Sequence, residues 1–104
     1  MQFTDASGVG IAYQVSGSGQ PTTCFLPGLT QSQADVRPFG SGVDGSRAFM
    51  DLRGQGASQA PSADRPADWT FDALVGDLNA VADEVGASRA VGVSAGAAVL
   101  LASL

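Results

Sequence analysis

Three short, uninterrupted apolar runs constrain the fold of this 104-residue chain more than any other feature. They occupy residues 24–26, 48–50 and 90–93. Runs of this length without polar alternation are typical of strands that are covered on both faces, as in a parallel sheet flanked by helices. Residues 9–15 instead alternate apolar with small or polar side chains, which predicts a half-buried, antiparallel strand.

A helical period lies between the second and third apolar runs. Residues 71–85 predict an amphipathic helix with Thr70 as its N-cap and Gly86 as its C-terminal stop, and its acidic residues are expected to face solvent. Residues 95–104 predict a second helix, almost wholly apolar, that needs burial on more than one side. Strands and helices in this order predict an α/β fold in one domain, residues 1–104. The apolar face of the first helix is expected to hold Phe71, Leu74, Val75, Leu78, Val81, Ala82 and Val85.

The composition excludes several classes of function. The chain has no His, a single Cys (Cys24) and a formal net charge of −5. No imidazole base and no zinc site can be built from such a set, and no cofactor or metal is predicted. The acidic balance excludes nucleic-acid binding driven by counterion release, and no apolar run reaches the ~20 residues of a membrane span. The lone Cys24, interpreted as a buried strand residue, and the absence of a visible signal peptide predict a cytoplasmic protein.

One pentapeptide has a pattern that carries chemistry. Gly92-Val93-Ser94-Ala95-Gly96 is a Gly-x-Ser-x-Gly motif at the predicted turn from a strand into a helix. Such a turn exposes the serine hydroxyl at the carboxyl edge of the sheet, and the N–H of Ala95 at the helix start is suited to stabilise an oxyanion. A glycine-rich turn without chemistry, or one that binds a phosphate at the helix start, is the alternative at this point.

Three sequence blocks together resemble the N-terminal part of an α/β-hydrolase. Residues 25–30 (FLPGLT) are similar to a strand end and the His-Gly loop that follows it in that family. Residues 51–58 (DLRGQGAS) are similar to its Asp-x-Arg-Gly-x-Gly-x-Ser loop, and residues 92–96 match its nucleophile elbow. The resemblance implies an N-terminal antiparallel hairpin, then parallel strands with crossover helices, in a partial sheet truncated after the elbow helix.

The resemblance also implies roles for individual residues. Ser94 matches the nucleophile, and the backbone N–H groups of Leu29 and Ala95 match the two donors of the oxyanion hole. Gly92 and Gly96 match the elbow glycines. Four further residues match positions that shape the loops beside the site: Gly28, Asp51, Arg53 and Gly54.

The implied function is that of a serine hydrolase. It would act on a small-molecule carbonyl substrate, such as a carboxylic ester or lactone, through an acyl-enzyme. Serine at the nucleophile position argues against the family's epoxide hydrolases and dehalogenases, which use Asp there. The chain departs from the family pattern because Pro27, Gln55 and Val93 stand where His is frequent. The family's catalytic acid and His lie beyond the elbow, so both are expected from outside residues 1–104, and the chain by itself is expected to be inactive.

Two other functions stay open on the sequence. A catalytically inactive or truncated family member would serve as a binding or interaction module, which the absence of His favours. A phosphate-binding α/β unit is weaker, because neither a Walker-type nor a Gly-x-Gly-x-x-Gly pattern follows a strand. In each case residues 90–93 are expected to form an exposed apolar edge, completed by a second chain, by a missing C-terminal part or by another copy of the chain.

Overall fold

The architecture is a single five-stranded mixed sheet with helices on both faces. It is described by a computed structural model that covers residues 1–104. The strands lie in the order β1-β2-β4-β3-β5. The first two form an antiparallel hairpin, β2 is also antiparallel to β4, and β3 is parallel to both β4 and β5. The predicted partial α/β-hydrolase sheet is confirmed. The strands are β1 (Gln2–Ala6), β2 (Val9–Ser16), β3 (Thr23–Leu26), β4 (Arg47–Met50) and β5 (Arg89–Gly92).

Two α-helices and two single 3-10 turns lie between the strands, and a third α-helix follows the last strand. Thr70 caps α2 as predicted, its hydroxyl accepting a hydrogen bond from the Ala73 N–H at 3.2 Å. Gly86 ends α2 in the left-handed conformation at φ 67°, which glycine adopts without the steric cost of a side chain. The helices are α1 (Gln33–Val36), α2 (Phe71–Val85) and α3 (Ala95–Ala102), and the 3-10 turns are Arg37–Gly40 and Pro66–Trp69.

Apolar side chains cover the sheet on both faces, as the uninterrupted runs predict. Cys24 and Leu26 of β3 belong to the larger core, which α2 and α3 complete with residues such as Leu78 and Val99. Phe25, the residue between them on β3, belongs to a smaller cluster with Val36 and Phe49. Successive side chains of a strand point to opposite faces, so a continuous apolar run supplies both cores at once. The Phe25 and Phe49 rings stack with centroids 4.8 Å apart.

The far side of β5 carries no strand, so β5 is an open edge of the sheet as expected, but of residues 90–93 only Ala90 is exposed and the other three are half-buried. Arg89 and Ala90 of β5 are exposed. On the helix that follows, Leu101 is 71% exposed. Phe71, predicted on the buried face of α2, is also half-exposed at the first helical position, whereas Leu78 and Val81 are buried.

None of the three helices combines the length and the apolar character that crossing a bilayer requires.

Candidate active site

The strands β3 and β5 end together and bring two loops to one edge of the sheet. Leu26, the last residue of β3, is in register with Gly92, the last residue of β5. The Val93 N–H extends this pairing by donating to the Leu26 carbonyl at 3.1 Å. The turn that holds Ser94 and the loop that begins at Pro27 therefore leave the sheet side by side, as expected for the carboxyl edge of parallel strands.

Ser94 lies in a strained backbone conformation between β5 and α3. Its φ is 57° and its ψ is −119°, a backbone conformation that residues other than glycine rarely adopt. A residue held in such a conformation costs about 1–3 kcal/mol, which the surrounding structure must offset. The Ser94 residue is exposed, and its side chain makes no capping hydrogen bond to α3. Its hydroxyl is thus presented to solvent on the turn that the motif predicts.

Gly92 and Gly96 permit the close approach that this turn requires. A Cβ on Gly92 would lie 2.5 Å from the carbonyl carbon and oxygen of Gly96. A Cβ on Gly96 would lie 2.5 Å from the carbonyl oxygen of Leu26. The start of α3 is therefore packed directly on the ends of β5 and β3, where no side chain fits at either position.

The first amide of α3 is free to serve as a donor. Ala95 begins the helix, so its N–H has no acceptor within α3. The two amides that follow are already used, with Gly96 donating to the Val93 carbonyl at 2.9 Å and Ala97 to the Ser94 carbonyl at 3.0 Å. The Ala95 N–H therefore remains available next to Ser94.

A second free amide lies in the turn formed by residues 28–31. Gly28 packs against the elbow, since a Cβ there would lie 3.2 Å from Ser94 Cβ. In this turn the N–H groups of Gly28 and Thr30 donate to side-chain oxygens, at 2.8 Å and 2.9 Å, and that of Gln31 donates to the Gly28 carbonyl at 3.2 Å. The Leu29 N–H alone has no acceptor, and Leu29 is 59% exposed. The structure thus places the two predicted donor residues, Leu29 and Ala95, on the two segments that meet at Ser94.

Asp51 supports this edge of the sheet from below the surface. It is 1% exposed, and one carboxylate oxygen accepts the Gln33 N–H at 2.7 Å. The other oxygen accepts from Gln33 Nε2 and from the Ala57 N–H, each at 3.0 Å. A carboxylate with this many donors joins the β4 end to α1 and to its own loop, so its contacts are those of a loop-shaping residue.

Arg53 and Gly54 fix the other end of the same loop. Arg53 Nη2 pairs with Asp77 Oδ1 at 2.7 Å, with both side chains almost fully buried, and Arg53 Nη1 donates to the Asp68 carbonyl at 2.9 Å. Gly54 lies under the Trp69 ring, where a Cβ would come within 3.0 Å of a ring carbon. The expectation that the acidic residues of α2 all face solvent is wrong at Asp77, because the buried guanidinium of Arg53 supplies its partner.

The structure also brings Gln55 to the site, a residue for which the sequence predicted no role. Its side chain makes three hydrogen bonds to the turn of residues 28–31. Gln55 stands in the second sequence block at a position where His is frequent in the resembled family, and this departure was the only signal of it.

Cys24 lies away from the candidate site. It is buried in β3, and this burial raises the pKa of its thiol to about 11, so it stays protonated and unreactive at neutral pH.

Solved structures resemble the chain along almost its whole length. An α/β hydrolase from Sphaerobacter thermophilus matches with a TM-score of 0.84 and 26% identity, over 98% of this chain and 39% of that one. A mutant epoxide hydrolase from Bacillus megaterium matches with a TM-score of 0.85 and 26% identity, over 98% of this chain and 36% of that one. An esterase from Exiguobacterium antarcticum matches with a TM-score of 0.82 and 22% identity, over 98% of this chain and 38% of that one. No protein-family model and no curated protein sequence matches the chain.

The sheet order and the serine turn at the carboxyl edge of β5 define an α/β protein. More specifically, the chain has the N-terminal part of the α/β-hydrolase fold, and the resemblance seen in the three sequence blocks is confirmed. The chain spans 39%, 36% and 38% of the lengths of the three structures named above.

Proposed function

We propose that the chain is the nucleophile-bearing part of a serine hydrolase. Ser94 would attack a substrate carbonyl, and the N–H groups of Leu29 and Ala95 would stabilise the oxyanion that forms. A single observation carries the proposal. Ser94 is strained and exposed, and the two segments next to it, the start of α3 and the turn of residues 28–31, each have one backbone N–H without an acceptor. A glycine-rich turn without chemistry needs neither the strain at Ser94 nor the free amide on the neighbouring loop.

The base and the acid of the reaction are proposed to come from outside residues 1–104. A serine hydroxyl is a weak nucleophile unless an adjacent base removes its proton, and the chain contains no His. The open edge of β5, beside the elbow, is where further strands of a hydrolase sheet would pair. The strands that carry the base would come from more residues of the same polypeptide or from a different chain, since another copy of residues 1–104 also lacks His.

Acyl transfer is favoured over epoxide opening. One structural neighbour is an epoxide hydrolase and another is an esterase, so the fold itself does not choose between the two reactions. Serine at the elbow supports acyl transfer, because a serine alkoxide that attacks a carbonyl forms an acyl-enzyme that water can hydrolyse. We therefore propose a small-molecule ester or lactone as the substrate.

Ester turnover tests the proposal. The protein is isolated under native conditions, so that any residues or chain supplying the base stay with it, and is assayed on p-nitrophenyl acetate and on styrene oxide. We expect hydrolysis of the ester only, and a loss of at least about a thousandfold in kcat for Ser94→Ala. Ser103→Ala, an exposed serine at the end of α3, is the matched control and is expected to keep full activity. Ester hydrolysis that survives in Ser94→Ala would contradict the proposal.

A further inference from the structure

We infer that Gln55 is a positioning residue of the oxyanion hole, a role that rests on the proposed function. Its side-chain amide holds the turn of residues 28–31 in the arrangement that leaves the Leu29 N–H unpaired beside Ser94. Gln55 itself is not proposed to touch the substrate. It acts on the donor, through the peptide groups on either side of Leu29.

The hydrogen bonds of Gln55 all go to this turn. Nε2 donates to the carbonyl oxygens of Gly28 and Gln31, at 3.1 Å and 3.2 Å. Oε1 accepts the Thr30 N–H at 2.9 Å. One donor hydrogen and the acceptor of the side-chain amide are therefore engaged with the two peptide groups that flank Leu29, and the other donor hydrogen is engaged with the carbonyl of Gln31.

The middle of the turn needs such support because packing does not hold it. Leu29 and Thr30 are both exposed, so their side chains bury little apolar surface against the protein. Thr30 has a φ of 64°, an unfavourable conformation for a β-branched residue. The Gln31 side chain also bonds to the turn, through the Gly28 N–H, but it belongs to the turn and moves with it.

Gln55 is in contrast anchored outside the turn. Its own N–H donates to the Leu52 carbonyl at 3.1 Å, and Leu52 is fully buried. Two residues before it, Arg53 is locked by the buried ion pair with Asp77. The loop after β4 thus provides a fixed point from which Gln55 sets the position of the Leu29 amide, as a preorganised oxyanion hole requires.

A primary amide suits these three bonds better than an imidazole. A neutral imidazole offers one donor and one acceptor, and its protonated form offers no acceptor for the Thr30 N–H. Glutamine offers two donors and one acceptor and does not titrate. The arrangement held by Gln55 is therefore expected to be independent of pH near neutrality.

Amide hydrogen exchange tests the contact without any need for activity. Gln55→Met keeps the size of the side chain and removes its hydrogen bonds. We expect exchange of the Thr30 amide to become at least tenfold faster in Gln55→Met. Gln59→Met is the matched control. Gln59 lies in the same loop as Gln55, and its Oε1 accepts the N–H of Gly10 in β2 at 2.9 Å. It should accelerate exchange at Gly10 and leave Thr30 unchanged. Thr30 exchange that is the same in wild type and Gln55→Met would overturn the inference.

Gln55→His provides a signature that a general loss of folding would not produce. At pH 8, where the imidazole has an acceptor nitrogen, the Thr30 amide of Gln55→His should be as well protected from exchange as that of wild type at the same pH. The protection should be lost below about pH 6.5, where the ring is protonated and has none. Equal protection relative to wild type at both pH values would overturn the assigned bond between residue 55 and Thr30.

The catalytic readout separates this inference from the proposed function. In the ester assay we expect Gln55→Met to lower kcat about tenfold to a hundredfold, less than or equal to the loss of one oxyanion donor. KM should stay within about twofold, because the substrate still binds. A Gln55→Met protein with fast Thr30 exchange and unchanged kcat would overturn the positioning role and leave the proposed function standing. A wild-type protein that hydrolyses no ester would overturn both, whatever the exchange rates.

Discussion

At the scale of single residues, Cys24 shows how burial in the sheet changes the pKa of an ionisable group. It lies in β3 between Ala48 of β4 and Ala90 of β5, and no part of it is exposed. Burial raises the pKa of its thiol from 9.0 to about 11, because the thiolate loses its hydration. The group is therefore neutral in the folded chain across the whole neutral range, which fits a structural residue.

This raised pKa predicts how stability depends on pH. Below pH 9 both the folded and the unfolded chain hold the thiol proton, so Cys24 does not make the free energy of unfolding depend on pH. Above pH 9 the unfolded chain releases this proton first, so the free energy of unfolding should fall between about pH 9 and pH 11, by about 1.4 kcal/mol for each pH unit. Urea denaturation at pH 8 and pH 10.5 measures the fall.

The matched variant for this measurement is Cys24→Ala. It should be less stable than wild type at pH 8, because it leaves a cavity, but its loss of stability between pH 8 and pH 10.5 should be smaller. Tyr13 does not confound the comparison, although burial and the nearby Glu84 also raise its pKa, because it is present in both proteins. An identical pH-dependent loss in Cys24→Ala and wild type would contradict the assignment to Cys24.

At the scale of elements, the buried pair of Arg53 and Asp77 joins the loop after β4 to α2. Asp77 is fully buried, and its carboxylate accepts hydrogen bonds from both the backbone N–H and the guanidinium of Arg53. A buried charge that loses its partner is costly. The pair therefore fixes where the loop that carries Gln55 stands relative to the sheet.

We expect Asp77→Asn to lower the free energy of unfolding by about 3–5 kcal/mol, because the Arg53 guanidinium is left buried without a compensating charge. Urea denaturation measures the change. Asp83→Asn, an exposed position on the same helix, is the control and should change stability by no more than about 0.5 kcal/mol. Equal effects of the two substitutions would contradict a buried, paired Asp77.

Elements differ in how well the sequence predicts them. The helix α2 and the strands β3, β4 and β5 were predictable because each has a period or a continuous run of several apolar residues. The strand β1 (QFTDA) has no such pattern, because Phe3 is its one large apolar residue, and it was expected only from the resemblance. The four-residue helix α1 is too short to show a period. The buried position of Asp77 was not predicted, because a charged residue on an amphipathic helix is expected to face solvent unless its partner is known.

At the scale of the whole molecule, the geometry of the candidate site was predictable only for residues that are close together in the sequence. Gly92, Ser94 and Gly96 lie within one pentapeptide, so the motif itself specifies the turn. The contact of Gln55 with Thr30 joins residues 25 positions apart, and it depends on how the loops after β3 and β4 leave the sheet. No periodicity or spacing reports such a contact. The same holds for the pairing of β3 between β4 and β5, which sets the two loops side by side.

The most direct test of the central claim is covalent labelling of Ser94. The protein, isolated without denaturation, is treated with a fluorophosphonate, and its mass is then measured under denaturing conditions with Ser94→Ala in parallel. We predict one phosphonyl adduct per chain, located on the peptide that contains Ser94 and absent from Ser94→Ala. The same spectrum should show the residues or the chain that supply the base. An unlabelled wild-type protein, or an adduct on another residue, would contradict the account and favour a binding module built on a hydrolase fold.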